Sequence, residues 1–355
     1  MTTPDVLERW LTAMPKAELH LHLDGSLRPA TALELADSRR HLSAGLPRTL
    51  RSMRDRLVAP AHCADQAELL RAFDLPVALL QDAEALTRVA AELVEDVAAD
   101  GTRYVEIRWA PSLHTERGLS LDDGIEAVVG GGESAAAARG ITVRFIAVAL
   151  RTHSPVVASE VATTALRFLG RGLTGFDIAG VERAAPDPLV FSEAVGIART
   201  GGLGITCHAG EWGGPAQVWR ALDLDPWRIA HGAPAADDPR LARELSERRV
   251  TLDLCPTSNL QAGIGTAGPD APLPRLLRAG VPVTINTDDR TVSDLTLVRE
   301  LREAVRSMGL RPSEIADAMR QAYAAAFLHH DEELRAQLSR GFERWLVDHP
   351  APVAG

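Results

Sequence analysis

The 355-residue sequence has few cysteines, no surplus of positive charge and no long hydrophobic run. Its three cysteines, Cys63, Cys207 and Cys255, do not suggest a disulfide framework and favour a reducing compartment. The formal net charge of −10 argues against a general nucleic-acid-binding surface, because such a surface needs a basic face. No uninterrupted apolar run approaches about 18 residues, the length typical of a membrane-spanning helix.

Several signatures of common protein classes are also missing. The first 18 residues lack the basic and apolar regions of a secretory signal, so we expect a cytoplasmic protein that does not bind membranes. There is no GxSxG turn, no GxxxxGK[ST] phosphate loop and no HxE…PCxxC pattern of the cytidine-deaminase type. Nothing in the sequence indicates an oligomeric state.

Short β-rich apolar runs recur along the chain, and helical patterns lie between most of them. The eight runs are residues 17–25, 102–111, 141–150, 173–180, 203–211, 228–232, 249–259 and 281–289. This alternation predicts an α/β protein, a (β/α)8 TIM barrel formed by residues 1–355 as a single domain. The alternative is an open doubly wound sheet, and the lack of GxGxxG after the first run weakens its dinucleotide-binding version.

The long interval between the first two runs predicts extra helices. In residues 83–101 apolar side chains recur at spacings of three and four, which indicates an amphipathic helix. Residues 55–75 are either a lid over the mouth of the barrel or a helical insertion on its surface. Further on, "VVGGGESAAAARG" at residues 128–140 is interpreted as a helix end, a glycine turn and a second helix.

Polar residues cluster where the predicted strands end. His20 and His22 are two apart, so both side chains leave the same face of one strand. The other residues at strand ends are Asp24, His208, Glu211, His231, Asp288 and Asp289. Taken singly, each has an ordinary explanation, such as a buried histidine or a helix N-cap. Together they fall on the face of a β/α barrel that carries the chemistry.

The residue types at these positions indicate a catalytic metal. Imidazole nitrogens with one carboxylate and an open position suit zinc. We predict that His20, His22, His208 and Asp288 bind a single Zn²⁺ per chain, which would lower the pKa of bound water towards about 7. Glu211 and His231 would stay off the metal as proton-handling groups.

Six motifs resemble the adenosine deaminase family of the amidohydrolase superfamily. They are "PKAELHLHLDGSLRP", "DIAG", "HAGE", "RIAHG", "CPTSN" and "NTDDRTVSDLTL", in family order between residues 15 and 297. The resemblance implies zinc-dependent hydrolytic deamination of a purine nucleoside, with adenosine and 2′-deoxyadenosine as the expected substrates. Purine metabolism would be the setting, and a small-molecule nucleoside would be the partner.

The resemblance also implies roles for individual residues. It implies zinc binding by His20, His22, His208 and Asp288, protonation of purine N1 by Glu211, and orientation of the hydroxide by His231. It implies that Asp289 bonds N7 and contacts the zinc-bound water, that the Gly180 backbone N–H meets N3, and that Asp24 reaches the ribose 5′-hydroxyl. The chain departs from the family pattern at Val181, where many members have an acidic residue, and at Trp212. These departures bear on the substrate more than on the reaction.

The sequence leaves other substrates and another class of hydrolase open. The substrate could be aminodeoxyfutalosine, adenine or a modified adenosine, although adenine deaminases of the family tend to carry Glu at the position of Asp24. A different barrel hydrolase would tend to use a bridging carboxylated lysine, and none of the eight strand ends carries Lys. A catalytically inactive relative is disfavoured, because every ligand and proton-handling position is filled.

Overall fold

Eight parallel strands form the centre of the molecule in the computed structural model, which describes residues 4–39, 45–183 and 187–352. The strands are β1 (Lys16–His22), β2 (Thr102–Trp109), β3 (Thr142–Leu150), β4 (Leu173–Ala179), β5 (Gly204–Ala209), β6 (Arg228–His231), β7 (Thr251–Leu254) and β8 (Val283–Ile285). Each of them overlaps one of the eight predicted runs, and only β1 begins outside its run, one residue earlier at Lys16. The structure thus confirms the predicted (β/α)8 barrel.

The strands pair in chain order from β1 to β8, and the barrel closes beyond the end of β8. There the backbone N–H of Asp288 donates to the carbonyl of His20, and the N–H of His22 donates to the carbonyl of Asp288. The side chain of Asn286 adds to this seam, because its Oδ1 accepts from the backbone N–H of Leu19 at 2.8 Å. The seam therefore joins two segments that carry predicted metal ligands.

Sixteen α-helices lie in the described ranges. They are α1 (Pro4–Ala13), α2 (Pro29–Ser38), α3 (Leu50–Leu57), α4 (Gln66–Leu70), α5 (Asp74–Leu79), α6 (Ala83–Ala99), α7 (Leu121–Arg139), α8 (Pro155–Leu166), α9 (Ser192–Thr200), α10 (Pro215–Leu222), α11 (Pro239–Arg248), α12 (Pro256–Gln261), α13 (Pro272–Arg278), α14 (Leu297–Arg306), α15 (Pro312–Ala325) and α16 (Glu332–Asp348). Local chemistry sets many of their starts. Ser154, for example, caps α8 by accepting from the N–H of Val157, with Pro155 in the first turn.

The strands are buried because helices cover the outside of the barrel and side chains fill its interior. Every residue of β4 and of β5 is buried, and both strands are mostly apolar. A parallel sheet covered in this way needs near-continuous apolar runs, which is the pattern that predicted the strands. The predicted extra helices after the first strand are also present, as α2 to α6.

The glycine-rich stretch at residues 128–140 does not form the predicted turn. It belongs to the single continuous helix α7. A Cβ on Gly131 would lie 2.3 Å from the carbonyl oxygen of Thr87 on α6, and one on Gly132 would lie 2.4 Å from the Phe145 ring on β3. The glycines therefore allow α7 to pack closely against its neighbours, which outweighs their low helix propensity. The prediction of a turn was wrong.

None of the helices in the described part of the chain is long and apolar enough to span a lipid bilayer.

Candidate active site

The ends of β1, β5 and β8 bring the four predicted metal ligands together. Nε2 of His22 lies 3.3 Å from Nε2 of His20 and 3.3 Å from Nε2 of His208. Oδ1 of Asp288 lies 3.0 Å from Nε2 of His20 and 3.3 Å from Nε2 of His22. One possible ligand atom from each residue lies within 4.8 Å of the others. We call these four residues the donor cage.

The spacing of the donor cage fits a zinc ion. Four ligands bound at about 2.1 Å in a tetrahedron lie roughly 3.4 Å from one another. Burial lowers the pKa of His20 well below its usual range and lowers that of His208 to about 4, so both imidazoles are neutral and have a lone pair to offer. The residues present therefore suit the metal that the sequence predicts.

A second group of possible ligands, His231, Cys255 and Asp288, fits less well. Burial raises the pKa of the Cys255 thiol well above its usual range. The Sγ atom lies 3.7 Å from the carbonyl oxygen of Asp253 in hydrogen-bonding geometry. A thiol must lose its proton to bind zinc, and burial disfavours that loss at Cys255. The donor cage is therefore the better candidate for the metal site.

Two residues without a predicted role, Asp177 and Arg108, support His208 on the side of the ring that faces away from the donor cage. Nδ1 of His208 lies 2.9 Å from Oδ2 of Asp177 on β4, which directs Nε2 of the same ring towards the donor cage. Arg108 on β2 donates to the same carboxylate oxygen at 2.8 Å. Burial would raise the pKa of Asp177, but His208 and Arg108 lower it, so the residue is a carboxylate. A charged residue inside an apolar strand run is the signal that could have identified Asp177.

Asp288 is held in a similar way by a residue of the "CPTSN" motif. The hydroxyl of Ser258 donates to its Oδ2 at 2.7 Å, which leaves Oδ1 for the donor cage. Burial would raise the pKa of the Asp288 carboxyl, but His20 and His231 lower it well below its usual range. Asp288 also has a backbone φ of +63°, in the left-handed region, which is costly outside glycine and is common at functional sites.

Glu211 and His231 face each other beside the donor cage. Nε2 of His231 lies 4.0 Å from Oε1 of Glu211 and 3.8 Å from Oδ2 of Asp288. Its Nδ1 contacts Oδ1 of Asn259 at 3.0 Å, which fixes the orientation of the ring. Burial raises the pKa of Glu211, and the neighbouring Asp288 raises it further although His231 lowers it. This carboxyl therefore holds a proton more readily than an exposed one.

Asp24 lies at the site, but the local structure differs from the prediction. The first strand ends at His22 rather than at residue 25, and Asp24 begins a short 3-10 turn, Asp24–Ser26. Its position is therefore set by this turn and not by strand alternation. Within the turn, Gly25 leaves space for Asp289, because a Cβ on the glycine would lie 1.7 Å from Oδ1 of that aspartate.

Asp24 and Asp289 each have a buried carboxylate oxygen without a hydrogen-bond partner. Leaving such atoms unpaired is costly, so a buried unpartnered acceptor in a cavity indicates that a ligand supplies the missing partner. Burial, together with the neighbouring Asp288 and Asp24, raises the pKa of Asp289 well above its usual range. These surroundings favour the protonated form of Asp289, which can donate a hydrogen bond.

One cavity joins these groups and opens to solvent, and its empty space is about 890 Å³ when the open part is included. Its polar floor contains His22, Asp24, His208, Glu211, His231, Asp288 and Asp289, and Gly180 lies in its wall. Its remaining walls are mostly apolar and come from Leu69, Leu70, Phe73, Ala110, Leu113, Val148, Leu150, Ala179 and Val181, with Gln66 and Thr152 as the polar exceptions. Among the described residues that line it, none is Lys or Arg. The cavity therefore suits an uncharged, partly aromatic ligand rather than an anion.

Part of residues 55–75, which we call the lid segment, reaches this cavity. Leu69, Leu70 and Phe73 all line it. The same segment also packs on Trp212, which directly follows Glu211, through a small apolar cluster that includes Leu69 and Val292.

Comparison with known proteins agrees with this geometry. A model of the adenosine deaminase family matches residues 15–340. The chain is 36% identical over 320 residues to an adenosine deaminase of Enterococcus faecalis, covering 90% of this chain and 94% of that protein. Among solved structures, an adenine deaminase of Arthrobacter aurescens superposes with a TM-score of 0.84 at 27% identity, covering 94% of this chain and all of that one.

A second solved structure carries a purine ligand. The Arabidopsis protein ADAL, in complex with IMP, superposes with a TM-score of 0.83 at 28% identity, covering 96% of this chain and 99% of that one. The names of these three proteins refer to adenosine, to adenine and to bound IMP. Because the family match spans nearly the whole barrel, the chain belongs to the adenosine deaminase family, whose members hydrolyse the C–N bond of a cyclic amidine.

Proposed function

We propose that this protein is a zinc-dependent deaminase of a purine nucleoside, which converts adenosine, and also 2′-deoxyadenosine, to inosine and ammonia. Deamination of a purine follows from the family. The nucleoside is supported by one observation above the others. Asp24 and Asp289, which meet at the turn of residues 24–26 and line the cavity, each have a buried side-chain oxygen without a hydrogen-bond partner. We expect the reaction to take place in the cytoplasm, since all three cysteines are unpaired.

His20, His22, His208 and Asp288 would hold the zinc ion. When bound there, the ion would lower the pKa of a coordinated water and make a nucleophile available near neutral pH. Asp177 and Ser258 would keep two of these ligands in orientation. His231, 3.8 Å from Asp288, would accept a proton from the attacking water and orient it.

The purine ring presents three hydrogen-bond acceptors, N1, N3 and N7, and the site offers three donors. Glu211 would protonate N1, which makes C6 electrophilic, and its raised pKa suits that role. Asp289 would donate to N7, which requires the protonated form that its surroundings favour. The backbone N–H of Gly180, a cavity-lining residue with a φ of +96°, would donate to N3.

Asp24 would accept a hydrogen bond from the 5′-hydroxyl of the ribose. A buried acceptor left unpaired is costly, so a site built around this bond discriminates against substrates that lack the hydroxyl. A 5′-phosphate should be rejected too, because it would meet Asp24 with no Lys or Arg among the described cavity-lining residues. Rejection of the 5′-phosphate would distinguish the proposed nucleoside deaminase from a nucleotide deaminase.

A substrate panel tests the proposal. Ammonia release is measured with adenosine, 2′-deoxyadenosine, adenine, 5′-deoxyadenosine, adenosine 5′-monophosphate and aminodeoxyfutalosine. We expect adenosine and 2′-deoxyadenosine to be the best substrates, and kcat/KM for 5′-deoxyadenosine to be lower by roughly 100-fold. In Asp24→Ala, adenosine and 5′-deoxyadenosine should become similar.

Other outcomes would redirect the assignment. Equal turnover of adenosine and its 5′-deoxy form by the unaltered enzyme would remove Asp24 as the sugar anchor and favour aminodeoxyfutalosine or a modified nucleoside. Preference for the free base would make the protein an adenine deaminase, the activity named for the Arthrobacter structure. Preference for the monophosphate would contradict the charge argument.

A further inference from the structure

The lid segment, residues 55–75, is tied to the wall of the cavity by one polar side chain. Gln66, the first residue of α4, is buried and lines the cavity. Its Oε1 accepts from the backbone N–H of Glu182 at 3.1 Å, and its Nε2 donates to the carbonyl oxygen of Gly180 at 3.5 Å. One amide thus spans the backbone on both sides of Val181.

Glu182 continues this connection on the other side. Its buried carboxylate accepts three backbone N–H groups, from Gly210 at 2.6 Å, Trp212 at 2.5 Å and Gly213 at 2.6 Å. These amides flank Glu211 on both sides. Charge-assisted hydrogen bonds of this kind are among the stronger ones in proteins, so the carboxylate fixes the turn that presents Glu211.

An apolar contact runs beside the polar one. Trp212 packs with Leu69 of the lid segment, and its carbonyl oxygen accepts from Nε of Arg183 at 2.8 Å. The lid segment therefore meets the turn around Glu211 twice, once through Gln66 and Glu182 and once through Leu69 and Trp212. Neither contact belongs to the donor cage.

We propose that Gln66 and Glu182 are positioning residues that couple the lid segment to the acid Glu211. With the lid segment docked, Gln66 holds the backbone of residues 180–182, and the Glu182 carboxylate holds the turn of residues 210–213. When the lid segment lifts, the Gln66 bonds break, the Glu182 backbone loosens and Glu211 loses its fixed position. Glu211 is thus held in its catalytic position only when the lid segment covers the cavity. The catalytic part of this inference rests on the proposed function.

Hydrogen–deuterium exchange of the zinc-loaded enzyme tests the coupling without any substrate. Gln66→Met keeps the length of the side chain and removes both hydrogen bonds. We expect the amides of Gly210, Trp212 and Gly213 to exchange roughly 10-fold faster in this variant, although the two hydrogen bonds of Gln66 go to Gly180 and Glu182. Glu68→Gln is the matched control, because Glu68 lies on the same helix and accepts from the N–H of Ala64 but is not among the residues that line the cavity. It should leave these three amides unchanged.

Kinetics with adenosine supply a second readout. Gln66→Met and Glu182→Gln should each lower kcat by roughly 10-fold or more with full zinc content, because a misplaced acid slows chemistry more than it weakens binding. Their combined effect should be smaller than the product of the two, since both break one connection. Glu68→Gln should keep kcat within about twofold of the unaltered enzyme.

Two results would overturn the inference. Exchange of the amides of residues 210–213 that is unchanged in Gln66→Met would show that the lid segment does not hold the turn. Lower thermal stability with unchanged kcat in both variants would show a purely structural role. An unaltered enzyme that does not deaminate adenosine would refute the proposed function instead, and the exchange result would still decide the coupling.

Discussion

The floor and the roof of the cavity are built in opposite ways. The floor consists of side chains on strand ends and on the loops that directly follow them, and buried partners hold several of these side chains, such as Asp177 behind His208 and Ser258 behind Asp288. The roof consists of the lid segment, residues 55–75, which contains the five-residue helix α4 and ends in the first turn of the six-residue helix α5. Short helices contribute little stability of their own, so the roof depends on its contacts with the barrel.

This contrast separates chemistry from access. Groups on the floor are rigid because the barrel fixes the strand ends, and we expect their substitution to change metal binding or kcat. Apart from Gln66, the groups on the roof contact the cavity through apolar side chains, and we expect the substitution of these apolar side chains to change KM. The following predictions test this division, beginning with the largest effect.

Removal of a ligand from the donor cage should have the largest effect. In His208→Ala the cage loses one of its three imidazoles, and both zinc and activity should be lost, with a fall in kcat of roughly 1,000-fold or more. Elemental analysis of the purified protein measures the metal, and circular dichroism checks that it is folded. Full zinc content in a folded His208→Ala protein would refute the ligand set.

Glu211→Gln separates proton transfer from metal binding. The amide keeps the size of the side chain but cannot give a proton to N1. We expect normal zinc content and a fall in kcat of roughly 100-fold or more, the scale of a positioned general acid. Zinc content and steady-state kinetics are measured on the same preparation of Glu211→Gln and compared with those of the unaltered enzyme. Activity within a few-fold of the unaltered enzyme would remove Glu211 from the mechanism.

Asp177→Asn tests the support beneath the floor. Asn keeps the shape of the side chain but loses the negative charge beside Nδ1 of His208 and beside Arg108. Loss of such an outer partner weakens metal binding by roughly 10-fold to 100-fold. Competition with a chelator measures the zinc affinity directly. Unchanged affinity would mean that the strand end alone orients His208.

The same contrast explains what the sequence could predict. Apolar runs predicted all eight strands, and a barrel places strand ends on one face, so the positions of His20, His22, His208 and Asp288 followed from the fold. The partners Arg108, Asp177 and Ser258 depend on which strands and loops lie next to each other in space. Periodicity along one segment carries no such information.

Two errors have equally specific causes. The first strand stops at His22 because the backbone turns at residues 24–26, where Gly25 allows the close approach of Asp289. The glycines of α7 suggested a turn, but Gly131 and Gly132 serve close packing between neighbouring elements. In both cases the glycine leaves space for a residue from another part of the sequence. A local sequence pattern does not reveal such a contact.

The smallest predicted effect concerns the roof. Phe73 and Leu69 line the cavity, so Phe73→Ala and Leu69→Ala should remove apolar contact with the nucleoside. We expect KM for adenosine to rise roughly fivefold in both variants, and kcat to stay nearly unchanged in Phe73→Ala, because lost apolar burial affects the bound substrate and its transition state alike. Leu75→Ala is the matched control. Leu75 belongs to the same segment and is buried in the main core, but it is not among the cavity-lining residues. Its truncation should lower the melting temperature and leave KM unchanged. If Phe73→Ala behaved like Leu75→Ala, the lid segment would be part of the core packing, and the division between a rigid floor and a substrate-contacting roof would fail.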